Sequence, residues 1–197
     1  SIYHKEHPFH FNACMESIWD KQTLKPTEII LVEDGPLTPE LDKVIAQWQE
    51  KLGNILRVKK LDKNLGTGKA KNIGLQECTY DIICIVDTDD IYVPERFEKQ
   101  IEFLKHNLDI SIIGGQILEF VEDIHTPKGM RKVPLSNEEL KEYTKKQSPF
   151  NNMTITYRKS HILEVGGYQH HLWMEDYNLF LRVIAKGYKI QNLADVL

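Results

Sequence analysis

The chain has 197 residues, 41% hydrophobic and 27% charged, which describes one ordinary globular domain with enough length for a substantial core. With 25 Lys and Arg against 29 Asp and Glu, its net charge of −4 argues against a nucleic-acid binder. The cysteines Cys14, Cys78 and Cys84 form no metal-spaced pair and read as free thiols in a reducing compartment, and neither a signal peptide nor a membrane-length apolar run is read in the sequence.

In chain order, Ser1 to His4 reads as the tail of a strand whose first half is absent. Phe11, Cys14, Met15, Ile18 and Trp19 recur at helical spacing, predicting a helix that stops before Pro26. Glu28 to Val32 is an apolar strand. A helix follows from Pro39, with Thr38 as N-cap, a buried stripe through Leu41, Ile45, Trp48 and Leu52, and Gly53 as its stop. Ile55 to Leu61 reads as strand and Thr67 to Cys78 as helix. The five apolar residues Ile82 to Val86 form a strand buried on both faces, as in a parallel sheet, and a helix runs from Pro94 to about Asn107.

This β-α-β-α alternation predicts an α/β fold with a mostly parallel sheet covered by helices. Past Asp109 the pattern loosens. Ser111 to Asp123 gives one or two strands, Ser136 to Glu139 a capping-box start for a helix to about Lys146, and Met153 to Arg158 a strand. Ser160 to Val165 is a short helix ended by Gly166-Gly167, Glu175 to Lys186 a longer one, and Tyr188 to Asn192 a last strand.

Three acids within four positions, Asp87, Asp89 and Asp90, end the central strand. Crowded carboxylates repel unless a positive group sits among them, and hard divalent cations take one or two carboxylates plus substrate phosphates. The carboxyl ends of strands in open α/β sheets are also where ligands bind. A solvated acidic turn capping the next helix is the plainer reading. Glu33-Asp34-Gly35 ends its own strand in the same way, so Asp34 is either a hydrogen-bond acceptor for a ribose or base in the same cleft or a turn residue.

Asn64-Leu-Gly-Thr-Gly-Lys69 fails the Walker pattern, because Lys63 and Ala70 stand where Gly and Ser or Thr are needed. What remains is a turn into a helix N-terminus with Lys69 in the first turn, either a diphosphate-favouring site or a plain helix entry. Glu175 or Asp176 caps a helix or delivers a general base. His170 and His171 beside them read as surface histidines. His125 to Lys132, with Lys128, Arg131 and Lys132 around Pro127 and Gly129, is either a hairpin with solvated basic side chains or an attractor for an anionic lipid acceptor.

Taken together and in order, Tyr3-x-x-Glu6, Val32-Glu-Asp-Gly35, Asn64-x-Gly66 with Lys69, Asn72-x-Gly74, Asp87-Thr-Asp-Asp90, Gly166-Gly-Tyr168 and Glu175-Asp176 resemble the family-2 glycosyltransferases of GT-A fold. The similarity is greatest to the bacterial enzymes of O-antigen, capsule and exopolysaccharide assembly. It implies a single domain trimmed at both ends, with a nucleotide-sugar-binding half over 1–108 and an acceptor-binding half over 109–197.

The resemblance also implies roles for residues. Tyr3, Glu6, Asp34, Lys69 and Asp87 would bind a nucleoside-diphosphate sugar, most simply a UDP-sugar, with Asp34 at the uracil or ribose. Asp87-Thr-Asp89 would be the DxD element, with Asp89 holding Mg²⁺ or Mn²⁺ and Asp90 leaving open which carboxylate does so. Asp176 would be the base of an inverting transfer, with Glu175 next in line. The acceptor would be a glycan, lipid-linked at the cytoplasmic face of the cell membrane, which allows peripheral membrane contact. Two other readings stay open: a nucleotidyltransferase that makes sugar nucleotides, for which Tyr3-His-Lys-Glu6 offers no Gly- and Arg-rich phosphate loop, and a non-catalytic nucleotide-binding module.

Overall fold

The structure is a computed structural model that describes residues 1–121, 124–169, 171 and 173–197. Strands β1 (Ile29–Glu33) and β2 (Leu56–Lys60) pair in parallel, in register from Ile29 with Leu56 to Glu33 with Lys60. Helix α2 (Pro39–Leu52) connects them. It starts where the sequence predicts, because the Thr38 side chain accepts the Leu41 N–H at 3.3 Å and satisfies a first-turn donor. Its stripe of Leu41, Ile45, Trp48 and Leu52 packs on Phe11, Cys14, Met15 and Ile18 of α1 (Pro8–Ile18) to form the first core. Ile2 extends β1 by one parallel bridge to Glu33.

Helix α3 (Thr67–Glu77), strand β3 (Ile82–Cys84) and helix α4 (Arg96–His106) lead into β4 (Ile110–Glu119), the longest strand. β4 pairs antiparallel with β5 (Gly129–Arg131) and β6 (Thr156–Arg158), and parallel with β7 (Lys189–Val196). β6 in turn pairs antiparallel with β3. Helices α5 (Asn137–Tyr143), α6 (Lys159–Glu164) and α7 (Glu175–Ala185) complete this half. α5 carries the predicted capping box between Ser136 and Glu139. A second core gathers Ile112, Phe150, Ile155, Tyr157, Phe180 and Val183.

Three expectations change. The parallel sheet is divided: β1–β2 forms one sheet and β3 belongs to the other, ordered by β6 and by an Ile85 N–H to Ile155 O bond of 2.9 Å. The central strand keeps three residues of the predicted five, and Ile82 to Val86 are half-buried, because an apolar cavity of about 620 Å³ separates β3 from β1. The segment read as reaching Asp123 ends as strand at Glu119; Glu122 and Asp123 lie outside the described residues.

The basic stretch forms the β4–β5 hairpin, closed by a Lys128 N–H to Glu119 O bond of 2.7 Å, with Lys128, Arg131 and Lys132 exposed. Among the described residues no helix is long and apolar enough to cross a membrane.

β4 lies against β7 and Phe150 only because it carries Gly114. A Cβ there would stand 2.5 Å from Asn192 Oδ1 and 2.8 Å from Phe150 Cδ1, both in buried residues. Gly114→Ala is expected to cost about 1–3 kcal/mol through overpacking. Urea unfolding checks this, with a lowered midpoint at unchanged m-value as the signature.

Candidate active site

The tips of β1 and β3 open on one cleft of about 460 Å³. After β1 the chain turns through Asp34 and Gly35. Asp34 is 5% exposed, and its carboxylate accepts the Leu65 N–H on Oδ1 at 2.6 Å and the Gly66 N–H on Oδ2 at 3.0 Å. Asn64 Nδ2 donates back to the Asp34 carbonyl at 3.2 Å. Gly35 has φ +91°, and a Cβ there would press to 2.7 Å from the Asn64 amide nitrogen, so only glycine lets the two loops nest. Asp34 therefore lines the cleft, as the sequence suggests, while also fastening the entry loop of α3.

That entry leaves a donor-rich end. Gly66 is the N-cap of α3 and supplies no side-chain cap, and Gly66 and Thr67 line the cleft. Uncapped first-turn amides make such a terminus a site for anionic groups.

The acidic tip faces them. Asp87 and Asp89 line the cleft, Asp87 half-buried and Asp89 exposed, with Tyr3 and Glu6 on the same wall. Burial, and then the Asp89 carboxylate, push Glu6 above the usual carboxylate range. Asp90 is not among the lining residues. Burial first, then Asp87 and Asp89, push it up to about 7.

The cation among these acids is Lys71, whose side chain is 9% exposed. Its Nζ stands 3.6 Å from Asp87 Oδ1 and 4.0 Å from Glu175 Oε1. Lys69, the residue singled out from the sequence, is exposed and outside the cleft lining. Helical period explains the exchange: Gly68, Lys71 and Leu75 fall at i, i+3 and i+7 on the inward face, and Lys69 turns away. That spacing was the signal available in the sequence.

Glu175 and Asp176 open α7. Gly68 lets that tip approach α3, since a Cβ on it would lie 3.0 Å from Glu175 Cβ and 3.1 Å from Gln169 O. Glu175 lines the cleft. Asp176, half-buried, accepts the Tyr177 N–H on Oδ1 at 2.7 Å and is not among the lining residues. Trp173, just before, is 88% exposed at φ +69°. His171 is exposed, and His170 lies outside the described residues.

Asn152 went unnoticed in the sequence, where an Asn in a loop carries no periodic signal. Its Nδ2 donates to Asp87 Oδ2 at 3.5 Å, and its Oδ1, shielded at the cleft, has no partner.

No group of three or more His, Cys, Asp or Glu among the described residues forms a metal cage. The donor set of Asp87 and Asp89, with Glu6 held above its ordinary range beside Asp89, suits a hard cation that takes one or two carboxylates and completes its shell with phosphate oxygens.

Releasing the two loop amides tests the fastening role of Asp34. Asp34→Ala is expected to cost about 1–3 kcal/mol of stability, the usual consequence of stranding partners of a buried charged acceptor. Hydrogen exchange should speed up at Leu65 and Gly66 and stay unchanged in α5.

The profile described as Glycosyl transferase family 2 matches residues 11–171. The amylovoran biosynthesis glycosyltransferase AmsE of Erwinia amylovora is 43% identical over all 197 residues, which span 72% of that protein. The UDP-Gal:alpha-D-GlcNAc-diphosphoundecaprenol beta-1,3-galactosyltransferase of Escherichia coli is 36% identical over the same 197 residues, 70% of its length. Among solved structures, the mannosyltransferase PcManGT from Pyrobaculum calidifontis, in complex with GDP-Man and Mn²⁺, superposes with a TM-score of 0.73 at 14% identity. That match covers 98% of this chain and about half, 53%, of the other, and it shows the GT-A fold alone.

Proposed function

The chain belongs to glycosyl transferase family 2, and we propose that it transfers a sugar, with inversion, from a nucleoside-diphosphate donor to a hydroxyl of a lipid-linked bacterial surface glycan. The observation that carries this reading is the meeting of two acidic strand tips with an uncapped helix N-terminus and a shielded lysine in one cleft. The α3 amides and Lys71 suit a diphosphate. Tyr3, Glu6, Asp34 and Asp87, all on the cleft lining, bind the donor, with Asp34 at the uracil or ribose and Asp87 near the ribose and sugar. Lys71, on the cleft lining, takes the role expected of Lys69.

A uridine donor is favoured because the Escherichia coli relative is named for UDP-Gal, and a lipid-linked acceptor because the same name specifies a diphosphoundecaprenol substrate. Work on such an acceptor belongs at the cytoplasmic face of the cell membrane, with peripheral contact through the acceptor-binding half over 109–197. Family membership sets the nucleotidyltransferase reading aside; a binding module without turnover remains the rival, and donor hydrolysis separates the two.

The cleft residues divide the work. Asp89, with Asp87 and Asp90 beside it, would hold Mg²⁺ or Mn²⁺ against the diphosphate, and such an ion supplies neutralisation of leaving-group charge when bound. Lys71 adds a fixed positive charge on the same side. Asp176 takes the proton of the acceptor hydroxyl as it attacks the face opposite the diphosphate. Glu175 is the second candidate, favoured by its place on the cleft wall and opposed by its engagement with Lys71.

Steady release of UDP from a UDP-sugar in the presence of Mn²⁺ is expected of the wild type; nucleotide binding without release would leave only a binding module. Asp176→Asn should lower transfer by roughly 10²–10⁴-fold while UDP affinity holds, the usual worth of a general base. A wild-type rate in Asp176→Asn together with that loss in Glu175→Gln would move the base to Glu175. Asp89→Ala should remove the part of UDP binding that EDTA abolishes. Equal UDP binding by the wild type with and without EDTA would remove the metal from the reading.

A further inference from the structure

The largest fully buried side chain among the described residues is a cation. Arg96, the first residue of α4, is 0% exposed. A guanidinium stays charged at any ordinary pH, and an apolar side chain of like volume would fill the same space without the penalty of desolvating a charge. Its contacts explain what the charge does there.

Arg96 Nη2 donates to the carbonyl of Ile85, two residues before Asp87, at 2.6 Å, and more weakly to that of Ile155 at 3.4 Å. Nε donates to Gln100 Oε1 at 3.1 Å, and the guanidinium lies 4.3 Å from the centre of the Tyr92 ring. Nη1 has no partner. Tyr92 passes the connection on: its hydroxyl accepts the Asp87 N–H at 2.8 Å and faces the Asp87 carbonyl at 3.2 Å. Gln100 reaches the other wall, donating to Thr154 O at 2.7 Å in the turn that carries Asn152.

We propose that Tyr92 and Arg96 are positioning residues: the Tyr92 hydroxyl clasps the Asp87 peptide, and Arg96 beneath it ties the acidic strand tip to the Asn152 turn across the cleft floor. The two walls thus keep one spacing. The proposal rests on the glycosyltransferase reading only for its nucleotide readout.

Tyr92→Phe isolates the clasp, because it deletes one hydroxyl and leaves the ring under Arg96. In the ligand-free protein the Asp87 amide is expected to exchange about tenfold faster, as befits the loss of one hydrogen bond. In calorimetric titration with Mn²⁺, UDP affinity should fall by about the same factor. In turnover the donor KM should rise more than kcat falls. Arg96→Met should weaken UDP binding in the same way, with Arg96→Lys recovering part of it.

Leu140→Ala, in the second core and remote from the clasp, is the control: it should lower Tm and leave Asp87 exchange and UDP affinity unchanged. Wild-type Asp87 exchange and wild-type UDP affinity in Tyr92→Phe would overturn the proposal, and so would equal losses in Leu140→Ala. If the Arg96 variants do not fold, Tyr92→Phe decides alone. If the wild type binds no UDP, the functional reading fails while the exchange measurement still decides the clasp.

Discussion

Five carboxylates, of Glu6, Asp34, Asp87, Asp89 and Glu175, share one small cleft, and the shielded ammonium of Lys71 is what makes that arrangement tenable. Asp87 and Glu175 come from distant parts of the chain, one at the end of β3 and the other at the start of α7, and both stand within ion-pair reach of Lys71. Without a cation between them, their mutual repulsion would push the α7 tip away from the strand tip. Gly68 contributes the complementary steric condition, since any side chain there would occupy the space that Glu175 needs. Charge and shape thus join the β3 tip, α3 and α7 at one point.

Around that point the remaining cleft groups are held from behind. Asp34 spends both oxygens on backbone amides of the loop before α3. That loop in turn presents uncapped helix amides to the cavity. The strand tips provide position, the helix ends provide field, and the acids are placed by backbone rather than by their own long side chains. Such a site needs little reorganisation to meet a highly charged ligand.

What the sequence made legible is what local interactions decide. Thr38 at α2 and the Ser136–Glu139 box at α5 are found because a cap is a side chain bonding to backbone two or three residues away. The motifs at Asp34, Asp87 and Glu175 are legible because acids at strand and helix ends stand out against apolar runs. What depends on pairing far apart in sequence was not legible. β3 looks like a member of a parallel sheet, yet its partner is β6, more than seventy positions on, in antiparallel register. Asn152 and Arg96 take their meaning from partners that no periodicity announces. Lys69 stands out in the sequence by its closeness to the glycine loop, whereas Lys71 reaches the cleft by helical phase.

Two strand edges face the apolar space between β1 and β3. Among the described residues β1 bonds to β2 and, at its tip, to Ile2, while β3 bonds to β6, so the edges that look across the apolar cavity do not bond to each other. Exposed strand edges are templates for any extended segment that reaches them, and an apolar lining adds adhesion to template. An extended segment lying between them would meet backbone donors and acceptors on both sides and an apolar lining for its side chains, so that place in the fold suits a strand rather than a helix.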